Sequence, residues 1–75
     1  MVYQVEIELE ADGRWLADVV ALPGVMTYGA TADEAFNAGV ALALRVIAER
    51  LEHGEEVPGV TSSGQALDFR FARAA

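Results

Sequence analysis

The stretch from Leu22 to Ala35 constrains this chain more than any other part of it. Leu22-Pro23-Gly24-Val25 suits a tight turn with proline at its second position and glycine at its third. Val25 to Tyr28 reads as a short strand, and Gly29-Ala30 leads into Thr31, whose hydroxyl can accept from the amides of a first helical turn. Glu34, three residues on, can reach back to complete a capping box. Asp33 and Glu34 also complement the positive end of the helix. A strand is therefore followed almost at once by a helix.

The flanking segments extend this pattern. Tyr3, Val5, Ile7 and Leu9 alternate with Gln4, Glu6, Glu8 and Glu10, the period of a strand with one dry and one wet face. Ala11-Asp12-Gly13 turns the chain and Arg14 to Val20 returns. Parity decides the register. A two-residue loop would pair Ile7 with Asp18 and put a carboxylate on the dry face. A three-residue loop with left-handed Gly13 pairs Leu9 with Trp15, Ile7 with Ala17 and Val5 with Val19, and sets Glu10 opposite Arg14. The second register keeps the dry face dry, at the cost of Glu6 opposite Asp18.

The helix is expected to run from about Ala32 to His53 and to stop at Gly54. Phe36, Val40, Leu44, Ile47 and Leu51 follow the helical spacing as its dry face, flanked by Ala35, Leu42 and Val46; Asn37, Arg45, Glu49 and Glu52 mark the wet side. Gly39, inside the helix, fits close packing against the sheet or a second subunit. A polar connection through Glu55 to Gly64 leads to a last alternating segment, Leu67 to Phe71, with Leu67, Phe69 and Phe71 on one face. The order β-β-β-α-β predicts one α+β domain over residues 1–75, an antiparallel or mixed sheet with one long amphipathic helix on one face.

Composition narrows the function. At 75 residues and 53% hydrophobic, the chain is rich in apolar side chains for so small an interior, so some are expected in a subunit or partner interface. Twelve acids oppose five arginines, a formal charge of −7, which disfavours docking on phosphate backbones and favours a basic partner. Cysteine is absent, excluding disulfides and thiolate metal sites. The longest uncharged run, Val19 to Ala32, contains Pro23 and Gly24 and falls short of the roughly 20 apolar residues of a membrane span. The alternating start carries no signal-peptide pattern, so a soluble, cytoplasmic protein is expected.

Catalytic constellations are weak. Glu6, Glu8 and Glu10 share a side of the first strand with Asp18 nearby, but alternate strand positions are where solvated or partner-facing residues belong, and no metal site is expected. His53 suits a helix C-terminus better than catalysis, since no nucleophile accompanies it. The glycines are spread through turns rather than gathered around a phosphate. Neither an enzyme nor a cofactor is expected. Leu16 and Val20 fall on the glutamate side, away from the helix, and mark a candidate interface together with Phe69 and Phe71 of the last strand.

The ordered set Tyr3-Gln4-Val5-Glu6-Ile7-Glu8, Asp12-Gly13-Arg14-Trp15-Leu16-Ala17, Leu22-Pro23-Gly24, Thr27-Tyr28-Gly29-Ala30-Thr31, Asp33-Glu34-Ala35 with Asn37, and Gly54-Glu55-Glu56-Val57-Pro58 resembles the HicB-like antitoxin family over roughly the first 58 residues. The chain departs from that pattern at Val20-Ala21, where the family commonly has Pro-Asp, at Val25, often cysteine, and at Ala30, often an acid. The resemblance implies a module that neutralises a small basic RNA-cleaving toxin of the HicA type by covering its catalytic surface. Glu6, Glu8, Glu10 and Asp18 would be its acidic face, Trp15 and Tyr28 its anchors. Family members usually carry a further DNA-binding segment, and none follows here before Ala75; toxin inhibition without direct nucleic-acid binding is therefore implied. A homo-oligomer is expected, and an orphan oligomeric scaffold or small-ligand module without a toxin is the alternative.

Overall fold

The computed structural model describes residues 2–59 and 70–74. Four strands, β1 (Val2–Leu9), β2 (Trp15–Val19), β3 (Met26–Gly29) and β4 (Arg70–Ala74), form one sheet in the order β3-β2-β1-β4, and α1 (Ala32–Glu52) lies on one side of it. The sheet is mixed: β1–β2 and β2–β3 are antiparallel and β1–β4 is parallel. This is the α+β architecture that the sequence predicts.

The β1–β2 hairpin adopts the three-residue register, with Val5 opposite Val19, Ile7 opposite Ala17 and Leu9 opposite Trp15. Gly13 takes φ +89°, its amide donates to the Glu10 carbonyl at 3.0 Å, and the Glu10 amide donates to the Arg14 carbonyl at 2.7 Å. The Leu22 to Val25 turn closes through the Val25 amide on the Leu22 carbonyl at 3.0 Å. Val25 itself is buried, its carbonyl accepting from the Val19 amide at 3.0 Å, and β3 begins one residue later than expected and runs to Gly29.

Helix capping follows the sequence with one difference. Thr31 Oγ1 accepts from the Glu34 amide at 3.1 Å, whereas the Glu34 carboxylate reaches past the cap to the Ala30 amide at 3.0 Å. The C-terminus closes at His53, one residue earlier than expected. Gly54 and Glu55 amides donate to the Leu51 and Arg50 carbonyls, the paired bonds of a glycine-terminated helix.

The side of α1 that meets the sheet is rotated from the expected one: Ile47 is buried and Phe36, Leu42 and Val46 pack on the core as expected, but Leu44 and Leu51 do not. The buried line is Ala35, Gly39, Ala43 and Ile47, while Leu44 and Leu51 are 45% and 43% exposed. Small residues bring the helix axis close to the sheet. A Cβ on Gly39 would lie 3.2 Å from Thr27 Oγ1 and 3.3 Å from the Ala17 Cβ, so bulkier side chains are turned to the flanks. The core combines Tyr3, Val5, Ala17 and Val19 from the sheet with Ala35, Ala43 and Ile47 from the helix and Val57 beyond it. Leu9, at the hairpin end, stays largely exposed.

In the last strand, Leu67 and Phe69 lie outside the described residues. Within them, pairing with β1 runs from Arg70 to Ala74, farther along the chain than the alternation indicated. Phe71 stands opposite Tyr3 and stacks on it, ring centroids 5.2 Å apart.

Candidate protein-binding face

Because α1 covers only one side of the sheet, parity assigns every strand residue to a covered or an open face. Along β1, Tyr3 and Val5 are buried against the helix, and Gln4, Glu6 and Glu8 are exposed on the other side. The ladders carry this division across the sheet. Glu8 stands opposite Leu16, which stands opposite Tyr28; Glu6 stands opposite Asp18, which stands opposite Met26. Across β1 to β3 the open face carries two rows, each running from an acidic residue on β1 to a large apolar or aromatic residue on β3, and β4 adds Arg70, Ala72 and Ala74 beyond β1.

Met26 and Tyr28 are each 47% exposed on this edge, and Leu16 is half-buried between them and the glutamates. Val20 follows β2 at the margin, where its amide donates to the Gln4 carbonyl at 3.1 Å. Glu10 continues the acidic column past the end of β1. Glu6, Glu8, Glu10, Asp18, Tyr28, Leu16 and Val20 are therefore gathered on one surface. Trp15 does not join them: it lies half-buried on the helix side, opposite Leu9 and packed against the core. Phe71 is likewise on the helix side, in its stack on Tyr3.

The hairpin register sets Arg14 on this face opposite Glu10, but the alternation does not foreshadow its contacts. Arg14 Nε donates to Asp12 Oδ2 at 2.7 Å and its amide to Asp12 Oδ1 at 3.1 Å, and its guanidinium carbon lies 4.2 Å from the centroid of the Tyr28 ring. The Arg14 amide, then the Arg14 guanidinium, hold the Asp12 carboxyl below its ordinary value. The signal in the sequence is Asp12-Gly13-Arg14 itself, an acid two residues before a cation across a glycine turn. What places Tyr28 within reach is the β2–β3 register.

The opposite end of the sheet is tied to the helix. Arg73 pairs with Asp33 and covers the Phe36 ring at 4.7 Å. Among the described residues no three histidine, aspartate or glutamate side chains are grouped to hold a metal ion, and no helix is long and apolar enough to cross a membrane. Buried polar side-chain atoms without a partner are also absent among the described residues.

No family model matches this chain, and neither the curated proteins nor the solved structures give a significant match.

Proposed function

We propose that this chain is an antitoxin-like binding module that neutralises a small, basic, RNA-cleaving toxin of the HicA type by covering its catalytic surface. The observation that carries the reading is the open sheet face, where Glu6, Glu8 and Asp18 share a surface with Leu16, Met26 and Tyr28. A protein that grips RNA phosphates presents a positive field, and an acidic face complements it. The carboxylates speed encounter and fix register, while the apolar and aromatic residues provide the desolvated area that slows release. The chain performs no chemistry in this role; it competes with RNA and obstructs access. Such a partnership belongs in the cytoplasm and asks for no nucleic-acid contact from this chain. The resemblance to HicB-like domains is what suggests the toxin.

The test combines the purified chain with the product of a short basic reading frame adjacent to its gene, following binding and RNA cleavage in the same samples. Tight, salt-sensitive binding that stops cleavage is expected. Joint Glu6→Lys, Glu8→Lys and Asp18→Lys substitution should weaken it at least about 100-fold, given that truncating even one buried partner costs several kcal/mol. Affinity unchanged by the triple reversal would sink the reading.

A second reading, an orphan oligomeric scaffold, draws on Val20 and Met26, both 47% exposed on this same face. Self-association through that face, with no binding to the neighbouring product, would favour it.

A further inference from the structure

Arg14 is a cation beside the Glu8–Leu16–Tyr28 row of a largely acidic face, and a basic partner should be repelled by it. We infer that Arg14 is nevertheless required there, as the positioning residue that holds the Tyr28 ring ready as the partner's anchor. The inference rests on the antitoxin-like reading above.

Three contacts fix the arrangement before any partner arrives. The glycine turn at Gly13, φ +89°, returns the chain so that Arg14 meets Asp12 twice, through its amide at 3.1 Å and its Nε at 2.7 Å. That clamp leaves the guanidinium plane over the Tyr28 ring, 4.2 Å to the centroid. Tyr28 sits on the edge strand β3, 47% exposed, with Leu16 beside it on β2 and Glu8 beyond on β1. An exposed aromatic side chain normally loses rotamer freedom on binding; one already held by a clamped guanidinium loses less. Arginine also stacks on an aromatic face in a way that lysine does not reproduce.

The two roles available to Arg14 predict opposite signs. As a surface charge alone, its removal makes the face more acidic and tightens a basic partner. As the support of Tyr28, its removal weakens the complex, and does so only while Tyr28 is present.

The experiment measures affinity and dissociation rate for the product of the neighbouring basic reading frame, against wild type, Arg14→Ala, Tyr28→Ala and the double variant. Tyr28→Ala is expected to weaken binding at least about tenfold. Arg14→Ala should weaken it about three- to fivefold, through faster dissociation, and should leave the affinity of the Tyr28→Ala variant unchanged or tighter. In the free protein, the Arg14 side-chain protons should carry an aromatic ring-current shift in NMR spectra that Tyr28→Ala abolishes. Arg14→Ala that tightens binding, leaves it unchanged, or weakens it equally in both backgrounds overturns the inference while leaving the antitoxin reading intact. No binding by the wild-type chain overturns that reading and this inference together.

Discussion

Glu6 and Asp18 stand directly opposite one another across the β1–β2 ladder, on the side of the sheet that the helix leaves open. Like charges in that relationship oppose pairing by a few tenths to about 1 kcal/mol. Asp18→Asn should therefore stabilise the free protein by about 0.3–0.5 kcal/mol at about 0.01 M salt, and the gain should shrink toward about 1 M as screening grows. Urea unfolding at both salt concentrations measures it. The same substitution should weaken a basic partner; a variant less stable than wild type at low salt would show that the pair is not in net repulsion.

Two glycines set the distance between helix and sheet and should respond differently to a methyl group. A Cβ on Gly29 would meet the Ala35 amide nitrogen at 2.5 Å, which is backbone and cannot step aside. Gly29→Ala should cost about 2–3 kcal/mol by overpacking. On Gly39 the nearest atoms, Thr27 Oγ1 at 3.2 Å and the Ala17 Cβ at 3.3 Å, need give by only a few tenths of an ångström, and alanine brings up to about 1 kcal/mol of helix propensity. Gly39→Ala should thus cost less than Gly29→Ala by at least about 1 kcal/mol. Chemical denaturation of both variants decides it.

Tyr3 should give the protein an alkaline limb. Its ring is fully buried and its hydroxyl donates to the Pro58 carbonyl. Burial raises its pKa above 10.0, with the Arg50 charge acting in the opposite direction. The folded state thus holds this proton more tightly than the unfolded chain. The stability involved is whole below about pH 10 and drains as pH rises through the raised folded value. Tyr3→Phe should cost about 1 kcal/mol at neutral pH and flatten the decline above about pH 10. Parallel decline of wild type and variant in thermal melts would contradict this.

The cap at Thr31 supplies a local check. Its Oγ1 accepts from the Glu34 amide at 3.1 Å, and the Glu34 carboxylate satisfies the Ala30 amide at 3.0 Å. Thr31→Ala should cost about 1 kcal/mol and Thr31→Ser or Thr31→Asp much less. Circular dichroism during thermal unfolding gives the ordering.

Much of the fold is legible in the residues because it is dictated locally. Alternation from Tyr3 to Glu10 fixes a strand, Asp12-Gly13 fixes a loop length, and requiring a dry face then leaves one register, the observed one. Thr31, Glu34 and Gly54 bound the helix to within a residue. Which side of that helix turns inward was not legible from size. Leu44 and Leu51 have the right spacing, but Gly39 and Ala43 permit closer approach, and proximity prevails over side-chain bulk. The parallel partner of β1 was also hidden, since Arg70-Phe71-Ala72-Arg73-Ala74 gains its strand character from β1 rather than from its own composition. On the candidate face, the acidic column follows from parity alone, whereas Tyr28 was indicated only by the resemblance. Trp15 separates from them by the same parity, and the Arg14–Tyr28 stack depends on a β2–β3 register that the short third strand could not specify.

The parallel pairing of β4 with β1, from Val2 opposite Arg70 to Glu6 opposite Ala74, joins the two ends of the described chain. During synthesis, β1, β2 and β3 are made before β4. Through that interval β1 is an edge strand with an unfilled row of amides and carbonyls, open to capture by any extended neighbour. β4, made after the other described strands, is therefore the nascent chain's own protection against intermolecular pairing. Ribosomes stalled before Arg70 should hold a product whose hairpin is formed and whose first strand is still adhesive.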